Sequence, residues 1–378
     1  MTLTQEIKEY GLNLGYSRVG IAPADDFTDF AREVRSRGPL YDFYVRSDND
    51  FLARVSPRHT FPAARSLVVL VWNYGALAFP RELVGRVGRV YQARCYNPPD
   101  HYANGARFAL MLAFLREKGM EAVVNTALPD RRAGARAGVT TFGKNNFAYA
   151  DGLGSFIVIR TVMVDAELEY DVPTPDTKCP AGCTRCVDAC PSKALYQPFR
   201  LDPRRCIAFN CWMTTKERGF GITDSIPRDM RPHMGEMVHG CDVCQEVCPR
   251  NQAVLKAKLP DDEFLSRIAR EFSLVRLLHL DEEFYRSRVR PIMYNYIADT
   301  RTFQRNAAVA IGNTGDRGYL PELQKALDNP DETVREHVVW AMAALGGDEA
   351  KRLLREHQRR EDSALVKAEL ALALGGQD

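Results

Sequence analysis

The chain has 378 residues, of which 45% are hydrophobic and 26% are charged, and its formal net charge is +2. This length predicts two or three domains, and the near-neutral charge excludes a uniformly basic or acidic protein while leaving room for a local basic face. The start of the sequence lacks the basic and apolar stretches of a signal peptide, and no apolar run reaches the roughly 20 residues that a membrane helix needs. We therefore expect a cytoplasmic protein that makes no membrane contact.

Helical and strand patterns alternate along the first 170 residues. Residues 1–24 predict a helix followed by a short strand, and residues 26–60 are polar and helical. Apolar runs of strand length lie at 64–74, 121–125 and 155–165. Helical spacing of apolar residues lies at 106–118, an Arg- and Ala-rich stretch at 130–137 predicts a short helix, and a turn is predicted at 143–145. This alternation predicts an α/β domain built around a central sheet.

The segment 86–104 is predicted to be a loop with reactive side chains. It contains Tyr91, Cys95, His101 and Tyr102 and two adjacent prolines. Binding and catalytic residues are disproportionately found on loops, so these side chains are candidates for an active site. Cys95 itself is expected to carry no ligand, because a lone cysteine usually behaves as a small apolar residue.

Nine of the ten cysteines lie between residues 179 and 248. Each half of this stretch contains a C-x2-C-x3-C-P run, a spacing that lets thiolates converge on a [4Fe-4S] cubane. In two-cluster ferredoxins the cysteine before the proline ligates the neighbouring cluster. The predicted ligands of one cluster are Cys179, Cys183, Cys186 and Cys248, and those of the other are Cys190, Cys206, Cys241 and Cys244.

Zinc and disulfides are the alternatives for these cysteines. Zinc sites seldom need eight thiolates in this order or a Cys-Pro step at each end. Disulfides require an oxidising compartment, to which nothing in the sequence directs the chain. The spacing therefore predicts two iron–sulfur clusters.

The last part of the chain is helical and repetitive. Residues 261–284 are helical, and small-residue helices ending at glycine recur at 305–312, 338–346 and 371–375, with helices at 320–327 and 349–357 between them. This pattern indicates a HEAT-like solenoid of roughly two and a half repeats. The predicted domains are residues 1–170, 171–258, 259–300 and 301–378, namely the α/β domain, the cluster module, a helical connection and the repeats.

Taken together, these features resemble the epoxyqueuosine reductase family, cobalamin-dependent iron–sulfur enzymes of tRNA modification whose fold is related to reductive dehalogenases. The motifs that carry the resemblance are Gly20-Ile-Ala-Pro, Trp72-Asn-Tyr, the segment from Ala137 to Asn145, Gly154-Ser-Phe, Leu201-Asp-Pro-Arg-Arg-Cys, Arg231-Pro-His-Met-Gly and Gly240-Cys-Asp-Val-Cys. The resemblance implies a nitroreductase-like or reductive-dehalogenase-like cobalamin-binding α/β domain, a bacterial ferredoxin-like module and HEAT-like repeats.

The resemblance also implies how such a protein works. Base-off cobalamin would lie between the α/β domain and the clusters, with Gly143, Lys144, Asn145 and Ser155 as its contacts. A flavodoxin or ferredoxin would deliver electrons through the clusters to form Co(I), and a monomer would reduce epoxyqueuosine to queuosine in tRNA. The sequence has no Asp-x-His-x-x-Gly motif to offer a lower cobalt ligand, and the basic helix around Arg355 and Arg359 suits RNA phosphates.

The sequence departs from the family at the catalytic acid. Asn125 stands where the resemblance implies a proton-donating aspartate, and an amide does not titrate near neutrality. Asp130, Tyr91, Tyr102 or His101 would then have to supply the proton, or the reaction differs. Arg131 matches the active-site arginine of the family.

Two further departures concern the cluster module. The segment 210–224 is longer than usual, and Cys179 and Cys183 are separated by three residues where two are usual, which leaves Cys211 as a substitute ligand. These differences keep two alternatives open. One is a paralogue that reduces or dehalogenates a small molecule, and the other is a cofactor-carrying assembly protein without turnover.

Overall fold

The computed structural model describes residues 1–42, 45, 51–94, 103–212, 224–293 and 300–375. The strands are β1 (Arg18–Pro23), β2 (Ser66–Asn73), β3 (Ala122–Val123), β4 (Thr141–Phe142), β5 (Ala148–Tyr149), β6 (Ile157–Val164), β7 (Leu195–Gln197) and β8 (Arg200–Leu201). The helices up to the cluster module are α1 (Leu3–Asn13), α2 (Thr28–Ser36), α3 (Phe51–Val55), α4 (Pro57–Thr60), α5 (Ala103–Glu117) and α6 (Asp130–Arg136). Those that follow are α7 (Arg185–Asp188), α8 (Ile207–Asn210), α9 (Val243–Glu246), α10 (Gln252–Lys256), α11 (Glu263–Ala269), α12 (Leu274–Leu278), α13 (Glu282–Phe284), α14 (Arg290–Met293), α15 (Thr300–Thr314), α16 (Leu320–Ala326), α17 (Glu332–Leu345), α18 (Asp348–Gln358) and α19 (Ala364–Gly375).

The first domain is built on a four-stranded sheet with the order β1-β2-β6-β3. All of its strand pairs are antiparallel, so the alternation of helices and strands along the chain does not arise from parallel crossover units. The predicted strand at 121–125 is shorter than expected, because Asn125 bends the backbone by accepting a hydrogen bond from the Ala127 amide at 2.9 Å.

Strand β2 is buried on both faces, which explains its uninterrupted apolar sequence. Val68 and Leu70 pack with α1 and α5 on one face, whereas Leu67, Val69 and Val71 pack with α6 on the other. Helices thus cover both sides of the sheet, and α6 is fixed with its N-terminus towards the cluster module. This placement brings Asp130, the first residue of α6, to the edge of the domain.

The connection after the cluster module differs from its prediction. The single helical stretch expected at 261–284 is divided into α11, α12 and α13. The side chains of Asp262, Ser273 and Asp281 each accept a hydrogen bond from a backbone amide of the helix that follows. Each is therefore an N-cap, and a new helix begins after each of them.

The repeats are confirmed as paired helices from α15 to α19. Small residues let α15 and α17 approach closely, since a Cβ atom at Gly312 would lie 2.8 Å from the Ala341 Cα. The repeats share one hydrophobic core with the cluster module, in which Ile226 and Val238 pack with Phe303 and Val338. No helix in the described ranges is long and apolar enough to cross a membrane.

We call the contact between residues 224–240 and the repeats the junction. Arg231 is almost fully buried there and pairs with Glu336 and with Glu369, the latter at 3.2 Å. His337 accepts a hydrogen bond from the Ile226 amide at 3.1 Å, and burial holds its pKa well below the usual range. Burial also lowers the pKa of Arg305 to about 10. The junction is therefore a buried ionic network joining two domains.

Candidate cluster module and active-site cavity

The eight predicted ligands lie on two loop–helix units that pack against each other through α7 and α9. Cys186 and Cys190 are buried with Ala194 and Leu195, and the half-buried Cys206 and Cys244 pack against this apolar cluster. An apolar pocket lined by thiols suits a cluster whose sulfur ligands are shielded from water. The chemistry of these side chains therefore fits iron–sulfur clusters, although no three metal-ligating side chains in the described residues converge closely enough to hold a metal ion.

The thiols have the neighbours that the crossed ligand pattern predicts. Burial raises the pKa of the Cys186 thiol, and its neighbours Cys248 and Cys179 raise it further. Burial likewise raises the pKa of the Cys206 thiol, and the neighbouring Cys190 raises it further. The sorting of individual ligands nevertheless stays a prediction.

Cys241 and Cys244 of the second cysteine run lie near Cys206, with which they form the second predicted ligand group. Burial raises the pKa of both Cys241 and Cys244, and Cys206 adds to both shifts. Cys186 also contributes to the shift at Cys244, so the two groups adjoin. Such closeness suits electron transfer from one cluster to the other.

Cys211 lies on the side of the second group. Its thiol is fully buried 3.9 Å from the Gly240 carbonyl, and burial raises its pKa to about 12. Its thiol neighbour is Cys206, whereas Cys179 neighbours Cys186. Cys211 is therefore poorly placed to substitute for Cys179, and the assignment of Cys179 as a ligand stays a prediction.

The turn from Gly143 to Asn146 is wedged between the two cysteine runs. The Lys144 ammonium is buried and donates to the carbonyls of Pro180, Ala181 and Cys183 at 2.7, 2.6 and 3.0 Å. Gly143 has no room for a side chain, because a Cβ atom would lie 2.4 Å from the ring of Tyr149. This part of the turn thus holds the first cluster loop.

Asn145 and Ser155 hold the second cysteine run. The Asn145 Nδ2 donates to the Cys244 carbonyl at 2.9 Å, and the Ser155 hydroxyl donates to Gln245 Oε1 at 2.9 Å. The Ser155 amide also donates to Asn251 Oδ1 at 2.8 Å. The polar groups predicted to contact cobalamin are thus engaged with the cluster module, and their contact with a corrin stays a prediction.

A partly open cavity of about 390 Å³ lies between α2, α6, the 143–146 turn and the β7–β8 hairpin. Arg37 donates to the Phe199 carbonyl at 2.8 Å and Tyr41 donates to the Leu201 carbonyl at 3.2 Å, so the α2 region holds the hairpin in place. The cavity is lined by Phe30, Glu33, Val34, Arg37, Tyr41, Pro129, Asp130, Arg131, Arg132, Phe142, Asn146 and Leu201. It is therefore shared by the first domain and the cluster module.

Two of the predicted catalytic residues line this cavity. Desolvation raises the pKa of Asp130 to about 6, although a hydrogen bond with Thr161 and the charges of Arg160 and Arg131 oppose the shift. Arg131 is exposed and donates to the Asn146 carbonyl at 2.9 Å, with its guanidinium over the ring of Phe147. A carboxyl group that titrates near neutrality beside a fixed cation can donate a proton in a cavity.

The other predicted catalytic residues lie elsewhere. The Asn125 amide donates to the Ala53 carbonyl at 2.7 Å and to Thr60 Oγ1 at 2.9 Å, so it ties its loop to α3 and α4. Tyr91 is buried in the shared core with its ring centroid 4.5 Å from that of His239, and it is not among the described cavity-lining residues. Cys95, His101 and Tyr102 lie outside the described residues.

Sequence reasoning missed three side chains of this region. Arg37 and Tyr41 lie in a stretch that is polar throughout, so no spacing distinguishes them. Tyr149 is buried against the cluster module, where its hydroxyl accepts a hydrogen bond from Asn145 at 2.9 Å. The sequence could have indicated Tyr149, because it is an aromatic residue soon after the Gly143–Asn145 turn. Its contact with the second cysteine run, however, depends on the fold.

The family comparisons agree with this architecture. Residues 178–251 match a model described as a 4Fe-4S double cluster binding domain, and residues 297–375 match one described as HEAT repeats. Fold and site together define an iron–sulfur protein with C-terminal HEAT repeats, and they favour clusters over the zinc alternative.

Full-length comparisons narrow this class. The epoxyqueuosine reductase of Bacillus cereus is 26% identical over 97% of this chain and 96% of its own length. A Bacillus subtilis epoxyqueuosine reductase, solved with its aspartate-bearing catalytic loop swung out of the active site, has a TM-score of 0.82 at 25% identity and covers 100% of this chain and 99% of that chain. An epoxyqueuosine reductase solved with an epoxyqueuosine-modified tyrosine tRNA stem loop has a TM-score of 0.79 at 25% identity, covering 99% and 98%. The predicted resemblance to the epoxyqueuosine reductase family is confirmed over nearly the whole chain, and with it the class of oxidoreductases.

Proposed function

We propose that this chain is a cobalamin- and iron–sulfur-dependent reductase that converts epoxyqueuosine to queuosine in tRNA. The reductases it resembles match it from end to end, and one of them is solved with an epoxyqueuosine-modified stem loop. The observation that carries the proposal is the cavity shared with the cluster module, where Asp130 and Arg131 stand side by side. Electrons from the clusters and a proton from the chain can meet there.

The residues around the cavity suit a base-off cobalamin. Phe30 and Phe142 offer apolar surface, and Arg131 offers donors to amide or phosphate oxygens. None of the described lining residues is a histidine, which agrees with cobalt held without a protein imidazole. When bound, this cofactor supplies a reducible cobalt that can open a carbon–oxygen bond. The nitroreductase-like, cobalamin-binding character of the first domain belongs to this proposal.

The remaining cofactor contacts follow from the same placement. Gly143, Lys144 and Asn145 lie between the cavity-lining Phe142 and Asn146, and the side chains of Lys144, Asn145 and Ser155 are bonded to the cluster module. Their part in holding cobalamin is therefore proposed for the backbone of the turn, beside Asn146 and Phe142, which line the cavity.

Asp130 is the proposed proton donor. Asp130 is among the residues that line the cavity, and its raised pKa of about 6 leaves part of its carboxyl protonated near neutrality. It delivers this proton to the epoxide oxygen as the carbon–oxygen bond opens, and Arg131 stabilises the negative charge on that oxygen. Asn125 keeps a structural role, because its amide hydrogens are both directed to neighbours in α3 and α4.

A flavodoxin or ferredoxin is the proposed electron donor of a monomeric, cytoplasmic enzyme. Cys179 and Cys183 are half-buried, and the residues between them, Pro180, Ala181 and Gly182, are exposed. The exposed backbone of this loop therefore gives an external donor a route of approach to the first cluster. Electrons enter at the first loop and pass inward.

Nucleoside mass spectrometry tests the proposal. Full-length protein with both clusters and cobalamin confirmed by spectroscopy is incubated with epoxyqueuosine-containing tRNA and a low-potential reductant, and protein without cobalamin is the control. Queuosine should appear only with the loaded protein. Intact epoxyqueuosine would contradict the proposal. It would favour the alternative that the chain is a paralogue that reduces or dehalogenates a small molecule, an alternative that also fits the amide at position 125.

A further inference from the structure

Lys144 lies beside the first cysteine loop and is not among the described residues that line the cavity. Lys144 places a buried ammonium against the first cysteine loop, where it donates to three backbone carbonyls between Pro180 and Cys183. An ammonium group has three hydrogens, so these three acceptors satisfy it completely. In the described part of the chain its partners are neutral carbonyls, and its positive charge is not cancelled by a carboxylate.

The position of Lys144 is fixed from several sides. Its carbonyl accepts a hydrogen bond from the Phe199 amide at 2.8 Å, and the following Asn146 adopts a left-handed φ of 65° that closes the turn. Its neighbour Asn145 is bonded to the Cys244 carbonyl at 2.9 Å. The lysine cannot move away from the loop without breaking these contacts, so its charge is held at one place.

A fixed charge near a cluster acts on its reduction potential. Reduction adds a negative charge to a [4Fe-4S] cluster, and potentials depend on net charge, hydrogen bonds and solvent exposure around the sulfurs. A cation acts more strongly where water is excluded, because the local dielectric constant is low. An ammonium bound to the carbonyls of the cluster loop should therefore stabilise the reduced state.

We propose that Lys144 is a positioning residue that raises the reduction potential of the cluster assigned to Cys179, Cys183, Cys186 and Cys248. It does so by fixing the extended C-x3-C loop and by placing its charge beside it. The raised potential lets this cluster accept electrons from an external donor. The inference rests on the cluster-binding part of the proposed function and is independent of the substrate.

Redox titration followed by electron paramagnetic resonance tests this role in the full-length, reconstituted protein. Lys144→Gln keeps hydrogen-bond donors without the charge, and Lys144→Arg keeps the charge. With iron and sulfide contents equal to those of the wild type, Lys144→Gln should shift the potential of one cluster to a more negative value. Lys144→Arg should shift it less, and the other cluster should respond less than the first.

The neighbouring Lys178 provides a matched control. It is exposed, immediately precedes the same loop and pairs with Asp151, so Lys178→Gln should leave both potentials near those of the wild type. Unchanged potentials in Lys144→Gln at full cluster content would overturn the proposal. So would a loss of cobalamin binding without a shift, which a direct cobalamin contact predicts. If Lys144→Gln fails to retain clusters, Lys144→Met, which keeps the length of the side chain without its charge, is titrated instead: a negative shift relative to Lys178→Gln supports the proposal, and an unchanged potential contradicts it.

Discussion

The cavity and the junction both contain ionisable groups with shifted pKa values, but they use them differently. At the junction, Arg231 forms ion pairs with Glu336 and Glu369, and these pairs hold the repeats to the cluster module. In the cavity, Asp130 and Arg131 face space that a ligand can enter. A shifted pKa therefore indicates chemistry here only where the group also lines a cavity, and the queuosine reaction in tRNA is assigned to the cavity on that ground.

The comparison predicts its largest effect for Asp130→Asn. An amide of the same shape cannot donate the proton, so queuosine formation should fall by about 100- to 10,000-fold. Single-turnover assays on the fully loaded protein measure this, and cobalamin and cluster contents should match those of the wild type. Asp26→Asn, a change at an exposed carboxylate, is the control and should stay near wild-type activity. Equal rates in the Asp130 variant and the wild type would contradict the proposal that Asp130 donates the proton in the cavity.

Breaking the ionic network at the junction should lower the stability of the protein. Arg231→Leu leaves the buried Glu336 without its arginine and Glu369 with only the half-exposed Arg228, and the free energy of unfolding should fall by about 3–5 kcal/mol. Chemical denaturation followed by tryptophan fluorescence measures it. Arg228→Leu is the matched control, because Arg228 is half-exposed and pairs with the same Glu369, so its loss should cost about 1 kcal/mol or less. Similar losses in both variants would contradict a buried ionic network at the junction.

Asn125→Asp tests whether the position of the family's acid has become structural. A carboxylate cannot donate to the Ala53 carbonyl or to Thr60, so the variant should lose about 1–3 kcal/mol of stability. It should gain no activity, because the side chain is tied to α3 and α4. Denaturation midpoints and the single-turnover rate are compared with those of Asn125→Ala. A faster reaction in the aspartate variant would return the acid role to position 125.

The smallest effect is expected at the repeats. Arg355 and Arg359 are exposed on α18, and replacing both with alanine should lower the slope of tRNA affinity against salt by roughly 1–2. Filter binding across a salt series measures this slope. Arg352 is bonded to Glu349 and Glu356, so Arg352→Ala should change the slope less. An unchanged slope in the double variant would place the RNA on another surface.

The sequence predicts the parts of this molecule that depend on local spacing. The two cysteine runs, the buried β2 and the repeated helices each follow from residues close together in the chain. The three-part division of 261–284 was also signalled, since Asp262, Ser273 and Asp281 are typical N-cap residues. In contrast, the antiparallel pairing of the sheet depends on contacts between distant strands.

The cavity could not be predicted because its walls come from separate segments. Arg37 and Tyr41 reach it from the α2 region, Asp130 from α6 and Leu201 from the cluster module. Sequence reasoning offered Asp130 together with Tyr91, Tyr102 and His101 as acids, and only the fold separates Asp130 from the buried Tyr91. The amide–carbonyl contact that explains Asn125 likewise joins residues more than 70 positions apart.

The pH dependence of queuosine formation tests the central claim, that Asp130 supplies the proton. An acid must hold its proton to act, and the pKa of Asp130 is raised to about 6, so its protonated fraction falls as the pH rises through that value. In single turnovers of pre-reduced, loaded protein between about pH 5 and 8, the wild-type rate should fall above about pH 6, and the residual rate of Asp130→Asn should lack this decline. A wild-type rate that stays level or rises across this range, or a variant that keeps the decline, would contradict the claim.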